Sequence, residues 1–542
     1  MKKSTKFLLI TACITILSCK QKQTAPNTFK VPNTKPNIIL IMSDQQRGDA
    51  IGLVNHNVIT PNIDKLAGDG VWFKNGYSSV PSCTPARTIL MTGLSPWHNG
   101  MLGFAPKTAV YRKYEMPQLL REAGYYTCGI GKMHWNPQRY KRGFHEMYLD
   151  ECGRVKDPDF ISDYRVWFKK QTNDSLNPDA TGIGWNENRA GIYKLPENLH
   201  PTTWTGQKAV DFIKSYNYKK PMFLKVSFAR PHSPYDPPKR YLDMYKNTPI
   251  TTPTKSDWSA PFKDYNNTEK TTKLGKESSV SGYNTAFGDM GDAFARNSIR
   301  HYYANITFID DKVGEIIKAL KEKNMYNNAI IIFISDHGDM LGDHYHWRKT
   351  YAYQGSANIP FVFKYPKKEN SYIIKKGTQM KQVVELRDVL PTFLDAAGIS
   401  IPSDLDGKSL FNLVKKEQPQ WREYIDLEHA AAYDIHNYWT GLTDGTWKYI
   451  FFPANGSEQL FNLENDPLEQ QQLAGLTQYT DKLLEWRKKM GSHLEERGPE
   501  FVANGVPIKR KSILYSPNMP SDDYGDYDTF MENQKSYHQI VK

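Results

Sequence analysis

Cys83 and Arg87 are the first residues whose types and spacing suggest chemistry. They lie in Pro81-Ser82-Cys83-Thr84-Pro85-Ala86-Arg87-Thr88-Ile89-Leu90-Met91-Thr92-Gly93. Pro85 suits the first turn of a helix there and Gly93 its end. Residues four apart on a helix share a face. A group at Cys83 would sit at a positive helix N-terminus with a guanidinium beside it, a cradle for an anion. The plainer alternative is a buried cysteine, with Arg87 in a surface ion pair. Two further pairs, Asp44-Gln45 and Asp336-His337, offer the carboxylate and amide oxygens that hard divalent cations take. Their one imidazole suits Mn2+ as well as Ca2+. Any one of these aspartates alone reads as a helix cap or turn residue. Two such pairs, each just after an apolar run, favour a metal.

Those apolar runs are the elements that must position the pairs. Residues 37–42, 222–228 and 329–334 read as strands buried on both faces. Between them lie helical patterns. Thr60-Pro61 opens one, with Ile63, Leu66 and Ala67 on one face and Gly68 and Gly70 at its end. Ile306, Ile309, Val313, Ile316, Ile317 and Leu320 repeat at helical spacing and lead into the third run. Strands alternating with helices predict an α/β fold with a large, mostly parallel central sheet flanked by helices. Ligands in such sheets bind beyond the C-terminal ends of the strands. Asp44, Gln45, His232, Asp336 and His337 all follow strand ends in this reading. Pro231, Pro234, Pro237 and Pro238 would make the loop around His232 stiff.

The Cys-x-Pro-x-Arg segment with Thr92-Gly93 resembles the signature of the type I sulfatases, in the alkaline-phosphatase-like superfamily. The resemblance runs over nearly the whole mature chain. Residues 37–45 look like the family's first strand and metal pair, and Gly131-Lys132-Met133-His134 like its Gly-Lys-x-His motif. Ser335-Asp336-His337-Gly338-Asp339 looks like its second metal segment, and Lys349 like its late lysine. Residues 387–393 resemble a helix start common in these enzymes. Residues 447–450, 459–463 and 465–469 resemble the strands and turn of a smaller C-terminal α+β subdomain.

The resemblance implies a role for each residue. Cys83 would be oxidised after translation to formylglycine, whose hydrate is the nucleophile, by a formylglycine-generating or anaerobic maturation enzyme. Asp44, Gln45, Asp336, His337 and the modified Cys83 would hold a divalent metal, Ca2+ first with Mn2+ as the alternative. Arg87, Lys132 and Lys349 would neutralise the sulfate oxygens. His232 or Lys349 would protonate the leaving alcohol, and His134 would take the proton whose loss expels sulfate. Where many family members have Asp-Asp and Asp-Asn, this chain has Asp44-Gln45 and Asp336-His337, one charge less negative, which weakens the claim for Ca2+ specifically. Related phosphonate and phosphodiester hydrolases share the signature, so that activity is the alternative. A non-catalytic lipoprotein binding sulfated glycans is another. His98, Arg230, His344, His346, Arg348 and His429 are polar residues that could touch substrate, none singled out.

The remaining readings bound the class. The chain has 542 residues, 39% hydrophobic and 13% aromatic, with 70 Lys+Arg against 58 Asp+Glu. That apolar content excludes disorder; five cysteines exclude a disulfide scaffold. The net charge of +12 suits an anionic substrate, and no nucleic-acid motif accompanies it. Lys2, Lys3 and Lys6 precede an apolar run from Phe7 to Leu17, followed by Ser18-Cys19. This predicts a signal peptide over 1–18 and a lipid-anchored Cys19, hence an exported lipoprotein at the periplasm or cell surface. A tether would cover 19–36, the catalytic part 37–415, the C-terminal subdomain 416–500 and an extension 501–542. Polar stretches near 155–200 and 250–295 are long for plain connections and would shape the rim of the site. A sulfated oligosaccharide, such as an ulvan or glycosaminoglycan fragment, is the expected substrate.

Overall fold

Strand β1 (Asn37–Asp44) is buried at nearly every position, and its run Ile38–Met42 is wholly apolar because both faces are covered. Ile38, Leu40 and Met42 point into one core, and Ile39 and Ile41 into another. The computed structural model describes residues 35–103, 113–135, 137–151, 159–266, 283, 285–366, 372–415, 420–430, 432, 437–510 and 516–518. The signal peptide, Cys19 and almost all of the tether lie outside these residues, as do most of 501–542 and parts of both long inserts.

The other strands are β2 (Val71–Phe73), β3 (Gly76–Tyr77), β4 (Tyr126–Gly131), β5 (Glu146–Leu149), β6 (Met222–Pro231), β7 (Ala329–Ser335), β8 (Phe361–Lys364), β9 (Thr378–Met380) and β10 (Val384–Glu385). Eight of them form one sheet in the order β5-β4-β6-β1-β7-β8-β2-β9. Strands β5, β4, β6, β1 and β7 are parallel. Strand β8 runs against both β7 and β2, and β9 is parallel to β2. This is the mostly parallel α/β sheet expected, with one reversed strand. The small β3–β10 pair lies apart from it.

Helices cover both faces. Those used below are α1 (Pro61–Gly68), α2 (Cys83–Thr92), α3 (Pro201–Ser215), α4 (Asp292–Glu322), α5 (Val389–Ala397) and α6 (Thr480–Leu494). Ile63 and Leu66 of α1, Ala209 and Ile213 of α3, and Ile309, Val313 and Ile316 of α4 pack on one face with Ile39 and Ile41. Ile89 and Leu90 of α2 and Val389, Leu390 and Phe393 of α5 pack on the other. Each fully buried aliphatic side chain contributes about 1.5–3 kcal/mol.

A second, antiparallel sheet follows, β11 (Ile425–His429), β12 (Trp439–Thr443), β13 (Trp447–Phe452) and β14 (Ser457–Asn462). Helix α6 packs on it through Leu483, Trp486 and Met490. Its Ile425, Leu427, Trp439 and Ile450 share a core with Tyr77, Met340, Tyr351 and Tyr353 of the catalytic part. A short hairpin, β15 (Val502–Ala503) with β16 (Val506–Pro507), ends the described fold. No helix among the described residues is long and apolar enough to cross a membrane.

Candidate active site

The C-terminal ends of β1 and β7 are side by side, since Ser43 is in register with Ser335. Asp44 and Asp336 therefore emerge together. Helix α2 begins at Cys83 and runs under them, closed at its far end by Gly93 with φ 67°. The ligating atoms of Asp44, Cys83, Asp336 and His337 all lie within 4.8 Å of one another, and all four residues are buried.

Each member is held by a specific partner. Cys83 Sγ lies 3.1 Å from His337 Nε2 and 3.7 Å from Asp44 Oδ1. His337 Nδ1 faces the Gly338 carbonyl at 2.8 Å, which assigns a proton to Nδ1 and turns Nε2 towards the cluster. Gln45, at φ 68°, donates its backbone N–H to Asp336 Oδ1 at 3.0 Å. Its amide Nε2 donates to Asp339 Oδ2 at 2.6 Å and its Oε1 accepts from Lys349 Nζ at 2.9 Å. A carboxylate on one side and an ammonium on the other fix which way this amide points.

Arg87 reaches both carboxylates. Its Nε donates to Asp336 Oδ2 and one terminal nitrogen to Asp44 Oδ2, both at 2.9 Å. The other terminal nitrogen donates to the Lys132 carbonyl at 2.7 Å and to Ser227 Oγ at 2.9 Å. The guanidinium thus braces the two carboxylates, with four of its five N–H groups engaged. Lys132 and Lys349 stand at the sulfur. Lys349 Nζ is 3.1 Å from Cys83 Sγ; Lys132 Nζ is 3.9 Å from it and 2.5 Å from Asp44 Oδ2.

The charges decide the protonation states. Burial and the Asp44 charge push the Cys83 thiol up, but Lys132, Lys349 and His337 outweigh them and hold it well below its ordinary value. Burial raises Asp44 too, yet Lys132, His232, Arg87 and Lys349 bring it well below the usual carboxylate range. Asp336 goes the other way, raised by burial and then by Asp44. Two carboxylates pushed apart in this way are what a cation between them would reconcile. Two carboxylates, an amide oxygen and an imidazole nitrogen, once deprotonated, are a donor set that fits a divalent metal.

The remaining expected residues are dispersed around this centre. His232 is buried, and its backbone N–H donates to the Asp44 carbonyl at 3.0 Å. His134, at φ 59°, hangs by its backbone N–H from the Glu151 carboxylate at 3.0 Å. His98 pairs with Asp406 and Glu496, and Arg230 with Asp236. His344 meets Ser256 and the Leu468 carbonyl, and His346 the His344 carbonyl. Arg348 donates its backbone N–H to Asp339. His429 meets Ser82; burial lowers its pKa to about 4, so it is neutral. Sequence reasoning missed Asp339, Glu151 and Ser227. Asp339 was visible inside the Ser335–Asp339 motif; the other two carry no local signal.

The site is a buried cluster of two carboxylates, a thiol and an imidazole at the strand ends of a mostly parallel sheet. A sulfatase model matches residues 36–399, and a model described as N-sulphoglucosamine sulphohydrolase, C-terminal, matches 342–496. An arylsulfatase of Clostridium perfringens is 37% identical over 88% of this chain and 98% of its own. An ulvan-active sulfatase of Formosa agariphila is 27% identical over 95% and 91%. Among solved structures, BT4656 in complex with its substrate D-glucosamine-2-N,6-O-disulfate superposes with a TM-score of 0.66, at 22% identity over 85% of this chain and 98% of that one. The phosphonate monoester hydrolase of Agrobacterium radiobacter superposes with a TM-score of 0.69, at 22% identity over 88% and 100%. The chain belongs to the sulfatase family. It is a sulfuric ester hydrolase.

Proposed function

We propose that this enzyme removes sulfate from a sulfated oligosaccharide, with residue 83 acting as formylglycine hydrate after conversion by a maturation enzyme of the host. The observation that carries this reading is Cys83 at the N-terminus of α2, within reach of His337 and Lys349. Its sulfur marks where the hydrate oxygens would lie. A divalent cation at Asp44, Gln45, Asp336, His337 and residue 83, Ca2+ with Mn2+ as the alternative, would supply positive charge to ionise the nucleophile and offset sulfate.

The chain's own residues do the rest. Arg87 holds both carboxylates in place. Lys132 and Lys349 meet the sulfate oxygens, whose charge persists through the transition state. One hydrate oxygen bonds to sulfur as the bond from sulfur to the sugar oxygen breaks, and His232 gives that oxygen a proton. His134 then takes the proton of the second hydroxyl, the carbon–oxygen bond to sulfate breaks, and the aldehyde returns. Water restores the hydrate. A thiol has no second hydroxyl and could not finish this cycle.

A carbohydrate substrate is supported by the ulvan-active relative and by an N-acetylglucosamine-6-O-sulfatase of Bacteroides thetaiotaomicron, 25% identical over 95% of this chain. The basic balance of the sequence and its aromatic content suit an anionic sugar. The N-terminal sequence supports export and anchoring through Cys19. The test is kcat/KM of the mature enzyme on a panel of sulfated oligosaccharides, an aryl sulfate and a phosphonate monoester. Highest kcat/KM on one of the oligosaccharides is expected. Preference for the phosphonate monoester would replace this reading with the alternative, and binding without turnover would leave a glycan-binding protein.

A further inference from the structure

Lys349 sits between two residues in left-handed backbone. Arg348 has φ 65° and Thr350 φ 85°. That region is costly for any residue with a side chain, and most for a β-branched one. Something must hold Thr350 there. Its N–H donates to the Pro81 carbonyl at 2.9 Å. Its carbonyl accepts from Trp439 Nε1 at 2.9 Å, and its Oγ1 from Asn437 Nδ2 at 2.6 Å.

Trp439 opens β12, and directly opposite it on β11 is His429. The Nδ1 of His429 faces the Ala430 carbonyl, so its Nε2 accepts from the Ser82 hydroxyl 2.9 Å away. Ser82 is the N-cap of α2, yet its hydroxyl makes no bond to the helix. It is turned to the C-terminal sheet instead. Ser82, Thr350, His429, Asn437 and Trp439 are all buried.

We propose that the His429–Trp439 cross-strand pair of the C-terminal sheet is a positioning device for catalysis, gripping Ser82 and Thr350 and so setting the approach of Lys349 to residue 83. One rigid rung holds the residue before the nucleophile and the residue after its lysine. The bond from Thr350 to Pro81 stitches the two loops together. Neither His429 nor Trp439 needs to touch substrate. This inference rests on the functional reading above only for what Lys349 does, not for where it is held.

The test is Trp439→Phe, which keeps a ring and removes the N–H. A crystal structure of this variant should show Thr350 relaxed out of positive φ and Lys349 Nζ further from residue 83 than 3.1 Å. On para-nitrophenyl sulfate, kcat/KM of the mature variant should fall about tenfold, the cost of one buried hydrogen bond left unmade. Thr350→Gly tolerates positive φ, so adding it to Trp439→Phe should recover part of that loss. A merely structural tryptophan would lower Tm without such a recovery. If Trp439→Phe fails to fold, Asn437→Ala should move the same readouts in the same direction by less. Thr350 and Lys349 unmoved with kcat/KM within about twofold of wild type, or a loss that Thr350→Gly does not relieve, would overturn the proposal. A wild-type enzyme silent on every sulfate ester would defeat the functional reading, while the crystallographic distance would still decide this one.

Discussion

At the scale of single residues, the site separates holding from reacting. Arg87 and Asp339 hold: one ties Asp44 to Asp336, the other fixes the Gln45 amide. Lys132 and Lys349 converge on residue 83, where the proposed reaction takes place. His232 carries the sharpest prediction. If it protonates the leaving oxygen, His232→Ala should cost kcat/KM about 10²–10⁴-fold on a sulfated sugar. The loss should be much smaller on an aryl sulfate, whose phenolate leaves without a proton. Arg87→Ala should depress both substrates alike, because it holds the carboxylates whatever is leaving. Equal losses on both substrates for His232→Ala would shift the acid role to Lys349. Asp44, Asp336 and His337 were legible in the sequence because short motifs follow strand ends, and Cys83 because Pro85 and Gly93 frame a helix that begins there. Arg87 was found, but its partners were not. Its four bonds go to residues 43 to 249 positions away, and no local spacing encodes them.

At the scale of elements, the strands aim the site. Continuous apolar runs made β1, β6 and β7 readable, and helical spacing made α1 and α4 readable. The reversal of β8 was not, since four buried residues carry no sign of direction. The end of β4 shows how closely an element can constrain a side chain. Gly131 has φ 90°, and a Cβ there would lie 2.1 Å from the Ser227 carbonyl oxygen. That same carbonyl accepts the Lys132 N–H at 2.8 Å. Gly131→Ala should therefore destabilise the fold by about 1–3 kcal/mol through backbone strain. It should also displace Lys132 from Asp44, so that kcat/KM falls by more than the loss of folded protein explains. Urea unfolding beside kinetics on the folded fraction would check this; a variant with full specific activity would contradict it.

At the scale of the whole molecule, the C-terminal sheet is joined to the catalytic part by a shared apolar core and by a buried ion pair between Arg387 and Asp426 of β11. The motifs near residues 447–469 made this sheet visible in the sequence. Its reach back to Ser82, 347 residues away, was not, because that contact exists only once both sheets have formed. A surface tie lies nearby. The hydrogen bond to Asp406, with the charges of Asp406 and Glu496, raises His98 from 6.5 to about 9. A raised folded value means stabilisation is complete below about pH 6.5 and lost as pH rises through about 9. Since the side chain is 39% exposed, the effect is small. Between about pH 6 and pH 9.5, wild type should lose slightly more Tm than His98→Gln; parallel curves would show that the tie contributes nothing.

The central claim is that residue 83 works as an aldehyde hydrate and not as a thiol. It is tested most directly by measuring sulfate release per molecule against the fraction of residue 83 converted, read by peptide mass spectrometry across preparations matured to different extents. Turnover should rise in proportion to the aldehyde fraction and extrapolate to almost none where the thiol is intact. Full turnover from protein whose residue 83 is entirely cysteine would contradict it.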